Sequence, residues 1–322
     1  MAAKQDLPDW LVVARANNYG LTRDAQILVE AMRAAGLRAE FSPRKRWRLL
    51  DLLLGRKAAK RVLQLERASW RWFAAGSENW IMPNQERYPH RHLARLRRST
   101  GVFAKTRHAE RIFSELGART IHVGFTSQDR LDPAVARDWS KFLHLAGGST
   151  LKGTEDVLAL WARHPEWPEL VLVQKADNAP KSVPANVRLL SGYIDDAELK
   201  RLQNECGIHL CPSRAEGWGH NIVEALSTGA CVVATDAPPM NEFVTAENGI
   251  PVRCGRQEPR HLGTCFYVDR DALEQAIASV LAMSEEDKRS MGRAARASFE
   301  RIDKNFRERA REVFPMRTAG KV

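Results

Sequence analysis

The chain has few cysteines, and their arrangement does not suggest a disulfide framework. Its 322 residues include five. An odd number cannot be fully paired within one chain, and the five do not form the two close pairs that zinc sites use. Cys206, Cys211 and Cys231 lie in or beside apolar runs typical of strands. We therefore expect reduced core thiols in a cytoplasmic protein.

Long apolar runs are also missing. No stretch approaches the ~18 residues that a membrane-spanning helix requires. The start, Met-Ala-Ala-Lys-Gln-Asp-Leu-Pro-Asp, lacks the apolar core of a signal peptide. The sequence predicts a non-secreted protein without a transmembrane helix, long enough for two domains of about 150 residues each.

Acidic residues are scarce in the first part of the chain. Residues 1–135 hold 25 Lys or Arg against 13 Asp or Glu, a net charge of +12, whereas residues 136–322 hold 25 against 26, a net of −1. Such a field attracts polyanions or an anionic membrane. Nucleic-acid binding is the weaker interpretation, because no zinc-finger spacing or RNA-binding aromatic motif accompanies the charge. We predict no nucleic-acid partner.

Residues 44–73 concentrate this charge. They hold ten Lys or Arg against two acids, with tryptophans at 47, 70 and 72 and a leucine-rich run at 49–54. Leucine and tryptophan beside a cationic face are typical of a helix lying on anionic lipid. A solvated basic face over an ordinary core helix explains the same composition. Both interpretations stay open.

The densest chemical pattern lies in the second half. Gly207–Cys211 predicts a buried strand, and Asn221–Thr228 predicts a helix closed by Gly229. The loop between them would aim backbone N–H groups and the positive end of the helix dipole at one point, which suits a phosphate. Glu216 in the loop and Glu224 in the helix could each accept ligand hydroxyls. A surface loop with one acid near a helix start is the simpler alternative.

A second glycine-bearing loop lies upstream. Residues 147–153 read Gly-Gly-Ser-Thr-Leu-Lys-Gly and precede an amphipathic segment, Thr154–Arg163. Small residues allow the backbone to approach a diphosphate, and Lys152 supplies a point charge.

Together these motifs resemble a known family. Glu-Gly-Trp-Gly from Glu216, with seven residues before Glu224 and then Ala-Leu-Ser-Thr-Gly-Ala, is similar to the retaining nucleotide-sugar glycosyltransferases of the GT-B fold, in particular glycosyltransferase family 4. The similarity spans roughly residues 142–296. It implies an α/β GT-B architecture, two Rossmann-like domains with parallel sheets facing across a cleft. The implied domains are a basic acceptor-side domain at 1–135, a nucleotide-sugar domain at 136–300 and a C-terminal helix at 301–322 packing on the first.

The resemblance also implies an activity. It is the transfer of a hexose, with retention and without a metal or cofactor, from a UDP-, GDP- or ADP-type donor to a lipid-linked or polysaccharide acceptor of the cell envelope. Lys152 would contact the diphosphate, Glu216 the sugar hydroxyls and Glu224 the ribose. Further donor-binding candidates are Gly217, Trp218, Gly219, His220, Asn221, Gly148, Ser149, Gly192 and Tyr193.

One family feature is missing. Many members carry an arginine just before the phosphate loop, where this chain has Gly147-Gly148-Ser149. Arg214, as a third catalytic candidate, or Lys105 or Arg107 from the first domain, would have to replace it. Loops after the predicted strands of the first domain supply the acceptor-side candidates, unless they are plain turns. They are Asn17, Asn18, Tyr19, Gly20, Asn84, Glu86, Lys105, Thr106 and Arg107.

The missing arginine and the short first domain also permit an alternative, a catalytically inactive GT-B-like protein that binds nucleotide sugars or glycans. Asp269-Arg270-Asp271 resembles the metal motif of the other glycosyltransferase fold. It stands directly before an amphipathic segment, so we expect helix capping and no metal site.

Overall fold

The computed structural model of the chain describes residues 7–14, 20–43 and 47–316. Two compact units make up the chain. The first extends to Thr126 and includes Arg260–Gly263 and the chain from Ile302, and the second comprises Ser127–Pro259 and Thr264–Arg301. No helix in the described ranges is long and apolar enough to cross a membrane.

The first unit is an open sheet of short strands. Its elements are β1 (Trp10–Val13), α1 (Gly20–Ala34), β2 (Ala39–Ser42), α2 (Leu49–Leu53), β3 (Arg61–Glu66), β4 (Glu78–Pro83), α3 (Leu93–Arg98), β5 (Gly101–Ala104), α4 (Arg107–Glu115) and β6 (Thr120–His122). The strand order is β2-β1-β3-β4-β5-β6, and every neighbouring pair is parallel. Aromatic rings fill its core, with Trp80 stacked on Phe103 at 4.3 Å and Trp10 against Phe314 at 5.9 Å.

The prediction of a helix within residues 44–73 is wrong for most of that stretch. Residues 44–46 lie outside the described part, and α2 covers only five residues. Residues 61–66 form β3, between β1 and β4, with Val62 and Leu63 fully buried. A central parallel strand is buried on both faces and shows no polar alternation, so its short apolar run between charged ends reads equally well as part of a helix.

The second unit carries a larger sheet. Its elements are β7 (Asp138–Gly147), α5 (Thr154–Arg163), β8 (Leu170–Gln174), β9 (Val187–Leu190), α6 (Asp196–Glu205), β10 (Cys206–Cys211), α7 (His220–Thr228), β11 (Cys231–Asp236), β12 (Ile250–Arg260), β13 (Gly263–Val268), α8 (Arg270–Ala282) and the first part of α9 (Glu285–Val313). The terminal residues Arg260 of β12 and Gly263 of β13, and α9 from Ile302 onward, belong to the first unit. The order is β13-β12-β11-β10-β7-β8-β9, with parallel pairing from β12 through β9. Consecutive strands therefore end at one edge, where the loops before α5 and α7 begin.

Local chemistry fixes the helix ends as expected. Gly229, at φ +72°, closes α7, and Thr106 caps α4 by accepting the Ala109 N–H. Asp269 caps α8 by accepting the Ala272 N–H, which confirms capping at the acidic pair. All five cysteines lie within the described residues, and none of them forms a disulfide.

Two buried histidines make the stability of the second unit sensitive to acid. Burial lowers the pKa of His144 and of His209 from the ordinary 6.5 to about 4. Between these values the unfolded chain binds more protons than the folded one, so stability is full above pH 6.5 and falls as pH drops towards 4. At pH 5 each histidine should cost on the order of 1 to 2 kcal/mol.

Scanning calorimetry at pH 7.5 and pH 5 tests this. We expect a lower unfolding temperature at pH 5 and a smaller drop in His144→Gln. The same drop in that variant would assign the acid sensitivity to other groups.

Candidate functional site

The two glycine-bearing loops of the second unit are docked on each other. Arg214 donates its backbone N–H to the carbonyl oxygen of Leu151 at 2.8 Å. Gly153 adopts φ +72°, and a Cβ placed there would overlap the carbonyl oxygen of Pro212. Only glycine permits this backbone approach. The loop after β7 and the loop after β10 therefore form one continuous surface.

On the surface formed by these two loops, a cation, a carboxylate and the start of a helix come together. The Lys152 ammonium donates to Glu216 Oε1 and, at 2.7 Å, to Oδ1 of Asn221 in the first turn of α7. The Lys152 and Glu216 side chains are only 15% and 12% exposed, so solvent weakens their attraction little. Gly219, at φ +97°, turns the chain into α7 beside the Glu216 side chain. Such a set can hold an anion while a carboxylate accepts neighbouring hydroxyls.

Glu224 lies three residues beyond Asn221 and hence on the same side of α7. It is buried, and its Oε2 accepts a hydrogen bond from Gln203 Nε2 at 3.1 Å. Gln203 lies on α6 and in turn accepts from Arg130 Nε at 2.7 Å. Sequence reasoning missed Gln203 and Arg130, since nothing in the local pattern marks either.

A short polar chain holds the loop before α7. The Trp218 indole N–H donates to Ser127 Oγ at 3.1 Å, and Ser127 Oγ lies 2.8 Å from His220 Nδ1. Trp218 also meets Phe243 edge-on at 4.6 Å. Gly217 is buried between these residues. Ser127 was another residue that the sequence pattern did not single out.

The structure places Arg214 with different partners from Lys152. Its guanidinium pairs with Glu155 at 3.0 Å and Asp156 at 3.1 Å, and it lies over the Tyr267 ring at 4.8 Å. These carboxylates on α5 already balance its charge. Lys175 lies beside the phosphate loop, where its Cδ would be 3.2 Å from a Cβ at Gly148. It is a cation that sequence reasoning overlooked.

The remaining donor-side candidates that the structure describes lie apart from the Lys152, Glu216 and Asn221 contacts. Ser149 Oγ accepts the Leu151 N–H at 3.1 Å, which shapes the phosphate loop from within. Gly192 and Tyr193 follow β9 on the surface, and Tyr193 is 94% exposed.

Among the acceptor-side candidates of the first unit, Lys105 is the most enclosed. It is 3% exposed and pairs with Asp24 at 2.5 Å, with Asn84 Oδ1 at 3.3 Å. The Lys105 ammonium therefore has its partners within the first unit.

The other acceptor-side candidates that the structure describes make local contacts. Gly20 begins α1, Thr106 is a helix cap, Arg107 pairs with Glu110 at 2.7 Å, and Glu86 is buried 3.8 Å from Arg87. Asn17, Asn18 and Tyr19 lie outside the described residues. Within the described ranges, no group of three or more His, Cys, Asp or Glu is arranged to hold a metal ion.

Comparisons with known proteins address the family and the fold. Residues 181–298 match the family model described as glycosyl transferases group 1. No curated protein matches by sequence. HepE from Anabaena, in complex with UDP and glucose, is 14% identical at a TM-score of 0.68, with 94% of this chain and 98% of HepE covered. A glycosyltransferase from Rickettsia africae is 13% identical at 0.69, with 96% and 98% covered.

Sucrose-phosphate synthase from Thermosynechococcus elongatus is also similar, at 14% identity and a TM-score of 0.64, with 92% of this chain and 94% of that chain covered. The structural likeness shows the GT-B fold. The match of residues 181–298 to the glycosyl transferases group 1 model supports transferase activity.

Proposed function

We propose that the chain is a retaining glycosyltransferase of the family 4 type. It moves a hexose from a nucleotide-sugar donor to a cell-envelope acceptor, lipid-linked or polysaccharide, without a metal or cofactor. The observation that carries the proposal is the meeting of Lys152, Glu216 and Asn221 at the start of α7. HepE, similar over nearly its whole length, has been seen with UDP and glucose, which favours a nucleotide-sugar donor.

In this mechanism the donor diphosphate lies over the start of α7. As the sugar leaves, negative charge grows on the diphosphate, and the Lys152 ammonium and the first N–H groups of α7 stabilise it. Glu216 accepts sugar hydroxyls and keeps Lys152 in place. Glu224 accepts ribose hydroxyls one turn further along. No covalent nucleophile is assigned.

A thermal-shift screen against UDP, GDP, ADP and CMP tests the donor site. A ligand that binds only the folded chain stabilises it by about 2.7 kcal/mol at a hundred times its Kd. We expect one nucleoside diphosphate to raise the unfolding temperature above the others. No shift with any of the four would contradict the proposal.

Catalysis is tested separately from binding. Donor hydrolysis or transfer above that of Glu216→Ala marks an enzyme. Binding without turnover above that variant would instead favour the inactive GT-B-like alternative.

We further propose that the protein works at the cytoplasmic face of a membrane, through an apolar surface patch in the stretch 44–73. On α2 and its end, Leu50 and Leu53 are 65% and 75% exposed. Trp70 is 47% exposed, with the guanidinium carbons of Arg95 and Arg98 within 5.8 and 6.0 Å of its ring centre. Exposed apolar groups beside cations suit an anionic lipid surface.

Co-sedimentation with vesicles tests this patch. We expect binding to anionic but not neutral vesicles, and a loss of at least about 100-fold in the double variant Leu50→Ser/Leu53→Ser, since each buried leucine contributes about 1.5 to 3 kcal/mol. Leu131→Ser, a partly exposed leucine of the second unit, is the matched control. Equal binding to both vesicle types would remove the idea.

A further inference from the structure

We propose that Gln203 and Arg130 are positioning residues that orient the Glu224 carboxylate for the ribose of the donor. The inference rests on the proposed function, in which Glu224 accepts ribose hydroxyls. Neither residue belongs to the glutamate motif or the phosphate loop. They act on the donor through Glu224.

The hydrogen-bonding chemistry allows only one orientation of the Gln203 amide. Arg130 Nε can only donate, so the Gln203 atom 2.7 Å away must be the amide oxygen. The amide nitrogen then faces Glu224 Oε2 at 3.1 Å and donates to it. Gln203 is 1% exposed, so water cannot replace either bond. The amide thus lies between a cation and a carboxylate with its dipole aligned to both.

Arg130 is itself held rigidly. Its side chain is 1% exposed, and Nη1 lies 2.8 and 2.9 Å from the two carboxylate oxygens of Asp196, at the start of α6. Its backbone N–H donates to Ser227 Oγ on α7 at 3.0 Å, and its carbonyl oxygen accepts from Asn204 on α6 at 2.7 Å. Arg130 is therefore fixed to both helices, and Gln203 transmits that fixed position to the carboxylate.

This arrangement bears on ribose recognition. A carboxylate that accepts hydrogen bonds from two neighbouring hydroxyls must keep its plane in one orientation. A glutamate side chain has three rotatable bonds that must be fixed to achieve this. Without Gln203 the buried carboxylate would lose a donor and its fixed plane. In that case the carboxylate would bind the ribose hydroxyls poorly, and a nucleotide that lacks one of them would bind almost as tightly as the ribonucleotide.

The experiment measures nucleotide binding by titration calorimetry. Wild type is titrated with UDP, GDP and ADP, and then with the 2′-deoxy and 3′-deoxy analogues of the tightest binder. We expect wild type to prefer the ribonucleotide by about 10- to 100-fold over at least one analogue, since hydrogen bonds to charged groups have that strength. In Gln203→Leu the preference should fall to within about threefold, and the ribonucleotide Kd should rise about tenfold.

Kinetics and controls separate positioning from general damage. Gln203→Leu should raise the donor KM while kcat at saturating donor stays near wild type, and Arg130→Lys should shift the preference in the same direction. Glu198→Gln is the control on the same helix. Glu198 pairs with Arg201 at 2.8 Å, and its replacement leaves Gln203, Arg130 and Glu224 in place, so it should keep the wild-type preference.

Each outcome decides between the claims. An unchanged ribose preference in Gln203→Leu overturns the inference, and if that variant does not fold, an unchanged preference in Arg130→Lys does so. Wild type that binds its tightest ribonucleotide and both deoxy analogues of it equally also overturns the inference, with nucleotide binding intact. Wild type that binds none of the three diphosphates refutes the proposed function instead.

Discussion

Lys152→Ala is expected to lower kcat about 100- to 1000-fold, the loss seen when one donor is removed from a site that stabilises developing negative charge. The ammonium stands at the start of α7, between Glu216 and Asn221. Charge on the diphosphate grows as the sugar bond breaks, so the lysine contributes more to the transition state than to donor binding. The donor KM should therefore rise less than kcat falls. Steady-state kinetics with varied donor measures both.

The control for this variant is Lys181→Ala, which removes an exposed lysine of the same unit. It should leave kcat unchanged. Lys152→Arg keeps the charge but changes its shape and reach, and we expect it to recover part of the activity. A Lys152→Ala enzyme with wild-type kcat would exclude the lysine from leaving-group stabilisation.

The sequence predicted best what short-range chemistry determines. The start and end of α7 follow from an apolar strand, a glycine turn and Gly229, all within about twenty residues. The caps of α4 and α8 follow from single side chains, Thr106 and Asp269. The meeting of Lys152 with Glu216 lies beyond such local signals, and the family resemblance supplied it.

Long-range partners account for what was missed. Glu224 is oriented by Gln203, 21 residues away, and through it by Arg130, which is 73 residues from Gln203. Neither residue has a local signature, because each acts only where α6, α7 and the chain after Ser127 meet. The prediction for Arg214 relied on its nearness to Glu216 in sequence. Its partners on α5 became visible only in three dimensions.

The second large effect is expected at Gly153. Its φ of +72° costs a non-glycine residue about 1 kcal/mol or more. An added Cβ would also overlap the carbonyl oxygen of Pro212 and stand 3.1 Å from the Pro212 ring. The overlapped atom is backbone and cannot rotate away, so overpacking adds about 1 to 3 kcal/mol. Gly153→Ala should therefore lower the free energy of unfolding by about 2 to 4 kcal/mol.

A glycine series separates these two causes within the same unit. Gly147→Ala has the left-handed φ of +54° but no atom within 4 Å, so it measures the backbone cost alone. Gly192→Ala has neither constraint and should be close to neutral. Calorimetric unfolding should rank Gly192→Ala, Gly147→Ala and Gly153→Ala in order of increasing loss. If Gly153→Ala lost no more than Gly147→Ala, the contact with Pro212 would not hold the loops together. The position of Lys152 beside α7 would then need another explanation, because its loop reaches the helix through that contact.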